Sequence, residues 1–152
     1  MKGDKIVAFC DRNCNVISPF VKAPANRNES IMLKPGIEKL VNNAKLIGFN
    51  LVESIMSLDG VYNCRRNRKS IFNLKMIPNM PENKRNRKKT KRGRKQTYDP
   101  NIFAERFRTI ERVFAWEDKF KRLLQRFEFL SDHHYGMKII AYSMINLRHF
   151  CG

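Results

Sequence analysis

The stretch PGIEKLVNNAKLIGFNLVESIMSLDG, residues 35–60, passes from one periodicity to another. Ile37, Leu40, Val41, Ala44 and Ile47 recur at the spacing of a helix face, and Pro35-Gly36 reads as the helix opening. Gly48 is a natural C-terminal stop. From Leu51 to Leu58 the pattern becomes that of a strand, ending in Asp59-Gly60. A helix leading into a strand that ends in Asp-Gly predicts a mixed α/β (α+β) fold. In such folds chemistry collects just beyond the carboxyl ends of strands.

Upstream, Ile6 to Cys10 form a short apolar run within Lys5–Asp11, which reads as a strand. Asp11 to Asn15 is a polar turn, and Val16 to Val21 reads as a second strand with Pro19 at an edge or an end. The two predict an antiparallel hairpin. Downstream, Asn67 to Leu74 suggests a short helix through Ile71, Phe72 and Leu74, and Met76-Ile77-Pro78 a last short strand. Asp99-Pro100 is a helix start, an N-cap acid followed by proline at the first helical position. Phe103, Phe107, Ile110 and Phe114 would be its apolar stripe, continuing past Trp116 to Leu123, Leu124 and Phe127. A final helix is expected over Tyr135–Phe150, with Met137, Ile140, Ala141, Met144 and Ile145 facing inward.

The 152-residue chain is long enough to bury a core, and 42% hydrophobic residues exclude a disordered chain. The formal net charge is +17. Its distribution matters more than its size. Residues 60–98 carry 14 basic side chains against one acidic, while both flanks are nearly balanced. The run KRNRKKTKRGRK, residues 84–95, holds nine of them: Lys84, Arg85, Arg87, Lys88, Lys89, Lys91, Arg92, Arg94 and Lys95. It cannot bury anything. We read residues 79–98 as a flexible basic loop that grips a polyanion, rather than as a solvated surface. Cys10, Cys14, Cys64 and Cys151 lack a Cys-x-x-Cys pair and read as reduced thiols of an intracellular protein. A zinc site from Cys10, Cys14, His133 and His134 can be drawn on paper, but the spacing does not favour it. Asn28-Glu29-Ser30 matches a glycosylation sequon, which has no consequence inside a cell. No apolar run approaches the ~20 residues of a membrane span.

Two carboxylates stand out. Glu111 falls on or beside the apolar stripe of its helix, where a bare charge is costly without a partner. The bland alternative is an edge glutamate paired with Arg108. Asp59 alone is an ordinary turn residue. A strand-end Asp and a helix-borne Glu converging near a basic channel would suit hard divalent ions and two-metal phosphoryl transfer.

These residues carry a resemblance. Arg106-Phe107-Arg108-Thr109-Ile110-Glu111-Arg112-Val113-Phe114-Ala115-Trp116, followed by Asp118-Lys119-Phe120-Lys121-Arg122-Leu123-Leu124, resembles the C-terminal signature of bacterial insertion-sequence DDE transposases. Leu58-Asp59-Gly60-Val61-Tyr62 resembles that family's second motif, and Ala141 to Arg148 its closing helix. The resemblance implies an incomplete RNase H-like fold: hairpin, helix, strand, basic loop, then two C-terminal helices. Residues 1–152 would form a single partial catalytic domain. Asp59 and Glu111 would be the second and third members of a catalytic triad binding Mg²⁺ or Mn²⁺. The activity implied is DNA cleavage at insertion-sequence ends and strand joining.

DNA contacts would come from Arg65, Arg66, Arg68 and Lys69 after the Asp, from the basic run, and from Arg106, Lys119, Lys121 and Arg122 on the Glu-bearing helix. The chain departs from the family where Phe103 replaces a usual tyrosine and where Arg106 precedes Glu111 by five positions. The first Asp of the triad is absent, since Asp4 and Asp11 are the only early acids and neither ends a suitable strand. We therefore expect a C-terminal portion, from a truncated element or a split reading frame, with impaired activity alone. The partners implied are the insertion-sequence ends, target DNA, and an upstream transposase polypeptide or a second copy, in the bacterial cytoplasm and at the nucleoid when bound. The alternative is a basic nucleic-acid-binding protein with no enzymatic activity.

Overall fold

The computed structural model describes residues 4–18, 20–82, 96–125 and 127–151. The basic run over residues 84–95 lies outside them. The fold is mixed α/β. Strands β1 (Asp4–Val7) and β2 (Val21–Pro24) pair antiparallel, Val7 opposite Val21. Helix α1 (Glu29–Leu46) leads to β3 (Ile55–Ser57). A 3-10 turn over Gly60–Tyr62 and α2 (Arg65–Asn73) then lead to β4 (Ile77–Asn79), which pairs parallel with β3. Helices α3 (Pro100–Glu117), α4 (Lys121–Leu124) and α5 (Ser131–Cys151) complete the chain.

Two apolar clusters lie on opposite faces of these strands. Leu33, Ile37 and Leu40 of α1 pack with Met56, Leu58, Ile71, Met76 and Met80 on one side. Val113 of α3 and Tyr135, Tyr142 and Ile145 of α5 pack with Cys14 and Phe20 on the other. The extended chain of β1 and the residues just after it serves both by its alternation: Phe9 packs on the first cluster, Ile6 and Cys10 on the second. Gly36 lets α1 come close, because a Cβ there would stand 3.1 Å from the Phe9 ring.

Several elements differ from expectation for local reasons. Helix α1 begins at Glu29, not at Pro35. The Asn28 side chain accepts from the Ser30 amide at 2.9 Å, and buried Met32 and Leu33 anchor the first turns. The second strand starts at Val21 rather than Val16, which makes only an isolated bridge to Cys10. The strand expected from Leu51 shrinks to Ile55–Ser57, because Glu53 takes a positive φ of 64° in a turn. Helix α3 stops at Glu117 instead of continuing to Phe127. Its stripe is rotated from the one expected: Val113 and Glu117 are buried, while Phe107 and Phe114 are at least half exposed. In α5, Ala141 and Ile145 face inward but Ile140 and Met144 are exposed. The start of α3 at Asp99-Pro100 is as read, with the Asp99 carboxylate accepting from Asn101 N at 2.8 Å.

Candidate nucleic-acid interface

Asp59 lies two residues past β3 and stands exposed at the N-cap position of the 3-10 turn, making no side-chain cap of its own. Two buried side chains hold the turn behind it. Asn67 Nδ2 donates to Ser30 O, Ser30 Oγ and Tyr62 O, tying α1, the turn and α2 together. Arg68 donates to Asn63 Oδ1 at 2.9 Å and to Met80 O at 3.1 Å. Arg68 is thus engaged inside the fold. Arg65, Arg66 and Lys69 of the same helix are exposed.

The ends of the segment that contains the basic run meet at this place. Asn63 Nδ2 donates to Pro81 O at 2.8 Å and to Gln96 Oε1 at 3.1 Å. Asn79 Oδ1 accepts from Asp99 N at 2.8 Å, and its Nδ2 donates to Asp99 O at 3.1 Å. Gly60 lies against Pro81, 3.5 Å from its ring to where a Cβ would be. The chain therefore leaves for residues 83–95 and returns from them within reach of one turn, the turn that follows Asp59.

Arg106 faces the same turn from α3. Its guanidinium lies 5.4 Å from the Phe103 ring centre, and its Nε has no hydrogen-bond partner among the described residues. Burial lowers its pKa from the ordinary value, opposed first by Asp59 and then by Tyr62 and Cys10. Burial likewise raises Tyr62 to about 12, with Glu29 adding to the rise. Asp59 and Arg106 are thus neighbours. Glu111 is exposed on α3, and neither it nor Asp59 lines the cleft that Arg106 lines. Five residues past Arg106, Glu111 is roughly 7.5 Å further along the axis and turned well round the helix. Lys119, Lys121 and Arg122 follow the C-terminal end of α3 and are exposed, Arg122 pairing with Glu128 at 3.1 Å. They lie beyond the 18 residues of α3, a helix about 27 Å long. The candidate DNA-contacting residues among those described fall at two places along the chain: Arg65, Arg66, Arg68 and Lys69 after the Asp59 turn, with Arg106 near it, and Lys119, Lys121 and Arg122 past the end of α3.

The buried carboxylate of α3 is Glu117, which the sequence reading passed over. It accepts from Lys138 Nζ and Tyr142 Oη of α5. Burial first, then Glu117, raises the Tyr142 pKa well above its ordinary value, so the phenol stays a donor. The signal available was the four-residue spacing of Lys138 and Tyr142 on one face of α5. Among the described residues no three or more His, Cys, Asp or Glu side chains gather as a metal-binding group. No described helix is long and apolar enough to cross a membrane. No family model, curated protein or solved structure matches this chain.

Proposed function

We propose that this chain is part of a DDE-class DNA transposase with an RNase H-like catalytic domain, and that it binds DNA through the basic segment rooted beside Asp59. The observation that carries the reading is the pair of asparagine clamps. Asn63 and Asn79 bring both ends of a segment with nine basic residues to the strand-end acid. The exposed Arg65, Arg66 and Lys69 lie on the helix that follows the same turn. The order of an antiparallel pair, a helix, a strand shortly followed by Asp59, and later the helix that carries Glu111 supports the reading, though the strands form two separate sheets.

Mg²⁺ or Mn²⁺ would need carboxylates that converge. Asp59 has the Arg106 guanidinium for a neighbour, and Glu111 is exposed on α3. Asp59 and Glu111 are the residues that would hold the ion, which would activate the attacking oxygen. A second reading, a nucleic-acid-binding protein without chemistry, rests on the same exposed Arg65, Arg66 and Lys69.

Fluorescence anisotropy with duplex DNA between 50 and 200 mM salt tests the first part. Affinity should fall steeply, with a log–log slope near −0.9 for each phosphate neutralised. Replacing the nine basic residues of the run by glutamine should remove most of that slope; a slope unchanged by the replacement would refute the interface. Strand cleavage with Mn²⁺ then separates the two readings. Cleavage lost in both Asp59→Asn and Glu111→Ala supports a transposase. DNA binding with no cleavage, even with an upstream polypeptide added, supports the binding protein.

A further inference from the structure

Arg106 is a half-buried cation with no anion in hand. Its Nε is buried without a hydrogen-bond partner, and no carboxylate pairs with it among the described residues. The guanidinium stands 5.4 Å from the centre of the Phe103 ring, a contact that fixes its place without meeting its N–H groups. Burial lowers its pKa, as expected of a charge short of solvent and of partners. An unmet buried donor is costly, more so on a charged group.

This side chain lines a cleft of about 530 Å³ between α3 and the strands. Along α3 the cleft follows Ile102, Arg106, Ile110 and Phe114, each four residues on, so it runs roughly 18 Å down one face of the helix. The facing wall is apolar, with Ile6, Ala8, Ile55 and Leu58. Ala8, Ile55 and Phe114 are exposed, so apolar lining is left wet. Tyr62 lines the cleft close to Arg106, and its hydroxyl makes no hydrogen bond among the described residues. Burial raises its pKa to about 12, so it stays a donor. Glu105 is already engaged: Arg12 Nη2 donates to its Oε2 at 2.9 Å.

We infer that this cleft binds an amphipathic monocarboxylate, its acyl chain lying along α3 and its carboxylate on Arg106. A carboxylate matches the guanidinium fork with two parallel hydrogen bonds. From Arg106 to Phe114 the wall runs roughly 12 Å, the length of a medium acyl chain. A largely apolar cleft with a few directing polar groups is the common form of a small-molecule site. The surroundings select a single negative charge. Arg12 and Glu105 cancel, and Asp59 acts on Arg106 from outside the cleft. A doubly charged phosphate monoester would meet the repulsion of Asp59. A nucleic-acid phosphodiester has the right charge but polar sugars on both sides, for which the apolar walls offer nothing. The inference uses Arg106 and the cleft, not the basic segment, so it stands or falls apart from the DNA-binding reading.

The test is isothermal titration of the full chain with decanoate below its micelle concentration, with NMR to locate it. One molecule should bind per chain, with amide shifts gathered in 6–10 and 102–114. Shorter acids should bind about fourfold more weakly for each CH2 removed, and decanol at least tenfold more weakly than decanoate. Arg106→Met keeps the apolar body of the side chain; it should weaken decanoate at least tenfold and leave decanol unchanged. Arg106→Lys, with a charge but no fork, should fall between, and keeps the test open should the methionine variant not fold. Ala8→Trp, at an exposed position, should weaken acid and alcohol alike. Five results would overturn the inference: no saturable binding while the circular dichroism stays native; decanol as tight as decanoate; decanoate affinity unchanged in both Arg106 variants; decyl phosphate tighter than decanoate; or shifts gathered at 65–69 and 119–122, the mark of adsorption to surface cations.

Discussion

Glu117 sits among groups that are each expensive to strand. Its side chain is 11% exposed and that of Lys138 13%, and the Tyr142 hydroxyl depends on it for an acceptor. Removing one partner of such a buried pair costs roughly 3–5 kcal/mol, because the other charge stays behind unpaired. Glu117→Ala should lower stability by about that much in urea unfolding. A loss under ~1 kcal/mol would mean that water reaches Lys138. Cys10 illustrates burial acting on a thiol. Burial, with Cys14 and Asp11 adding, raises its pKa to about 11 from 9.0. Its folded pKa lies above the unfolded one, so it contributes stability below pH 9 that is lost as pH rises from 9 to 11. Its thiolate is also scarce near neutrality, whereas Cys151 is exposed. At pH 8, iodoacetamide should modify Cys151 well before Cys10, as read by peptide mass spectrometry; equal rates would count against the packing of Ile6 and Cys10 on the second cluster.

At the level of elements, α1 shows how a helix can outvote its own sequence signals. Pro35 removes one hydrogen bond and crowds the Ile31 carbonyl, a burden of about 3 kcal/mol in an isolated helix. Yet the helix runs through it, because Asn28 caps the start and Met32, Leu33 and Ile37 bury a continuous face. The close approach at Gly36 depends on that path. Gly36→Leu should destabilise the protein by roughly 1–3 kcal/mol by forcing α1 off Phe9, measurable as a lowered thermal midpoint. A neutral effect would place the helix farther from β1. Signals that are local were legible: the Asp99-Pro100 start, the Gly48 stop with its φ of 69°, and the helix around Ile71. What could not be read was the rotation of α3. Phe103, Phe107, Ile110 and Phe114 recur at helical spacing, so spacing alone puts them inside. The buried face is instead set by Lys138 and Tyr142, which reach Glu117 from more than 20 positions away.

Across the whole molecule, apart from buried Arg68 and the Glu117–Lys138 pair, the densest run of charge lies outside the segments that form the apolar clusters. The apolar clusters draw on α1, α2, β3, α3 and α5, while nine of the cations fall between β4 and α3. The position of the basic run beside the Asp59 turn was legible only as an order along the chain. That its two ends meet there depends on Asn63 and Asn79, two unremarkable polar residues whose partners are far apart in sequence. The site was legible to the same degree: Asp59 falls just past a strand end as read, whereas the approach of Arg106 to the turn after Asp59 depends on how α3 is rotated. Excising residues 83–95 and joining the ends with two glycines should leave the thermal midpoint within a few degrees, since the asparagine clamps already hold the ends together. DNA affinity at 50 mM salt should fall at least tenfold; an unfolded excision variant would show that the segment supports the core.

The clamps also limit what the basic segment can report to the rest of the protein. Among the described residues, the two roots of the basic segment are tied to the fold by amide hydrogen bonds at Asn63 and Asn79. Those ties use Asn63, Asn79, Pro81, Gln96 and Asp99, none of them a cation, so lysines and arginines can be exchanged without touching the clamps. Grip strength and fold stability become separately heritable traits, so a lineage can retune one by gaining or losing lysines without renegotiating the other.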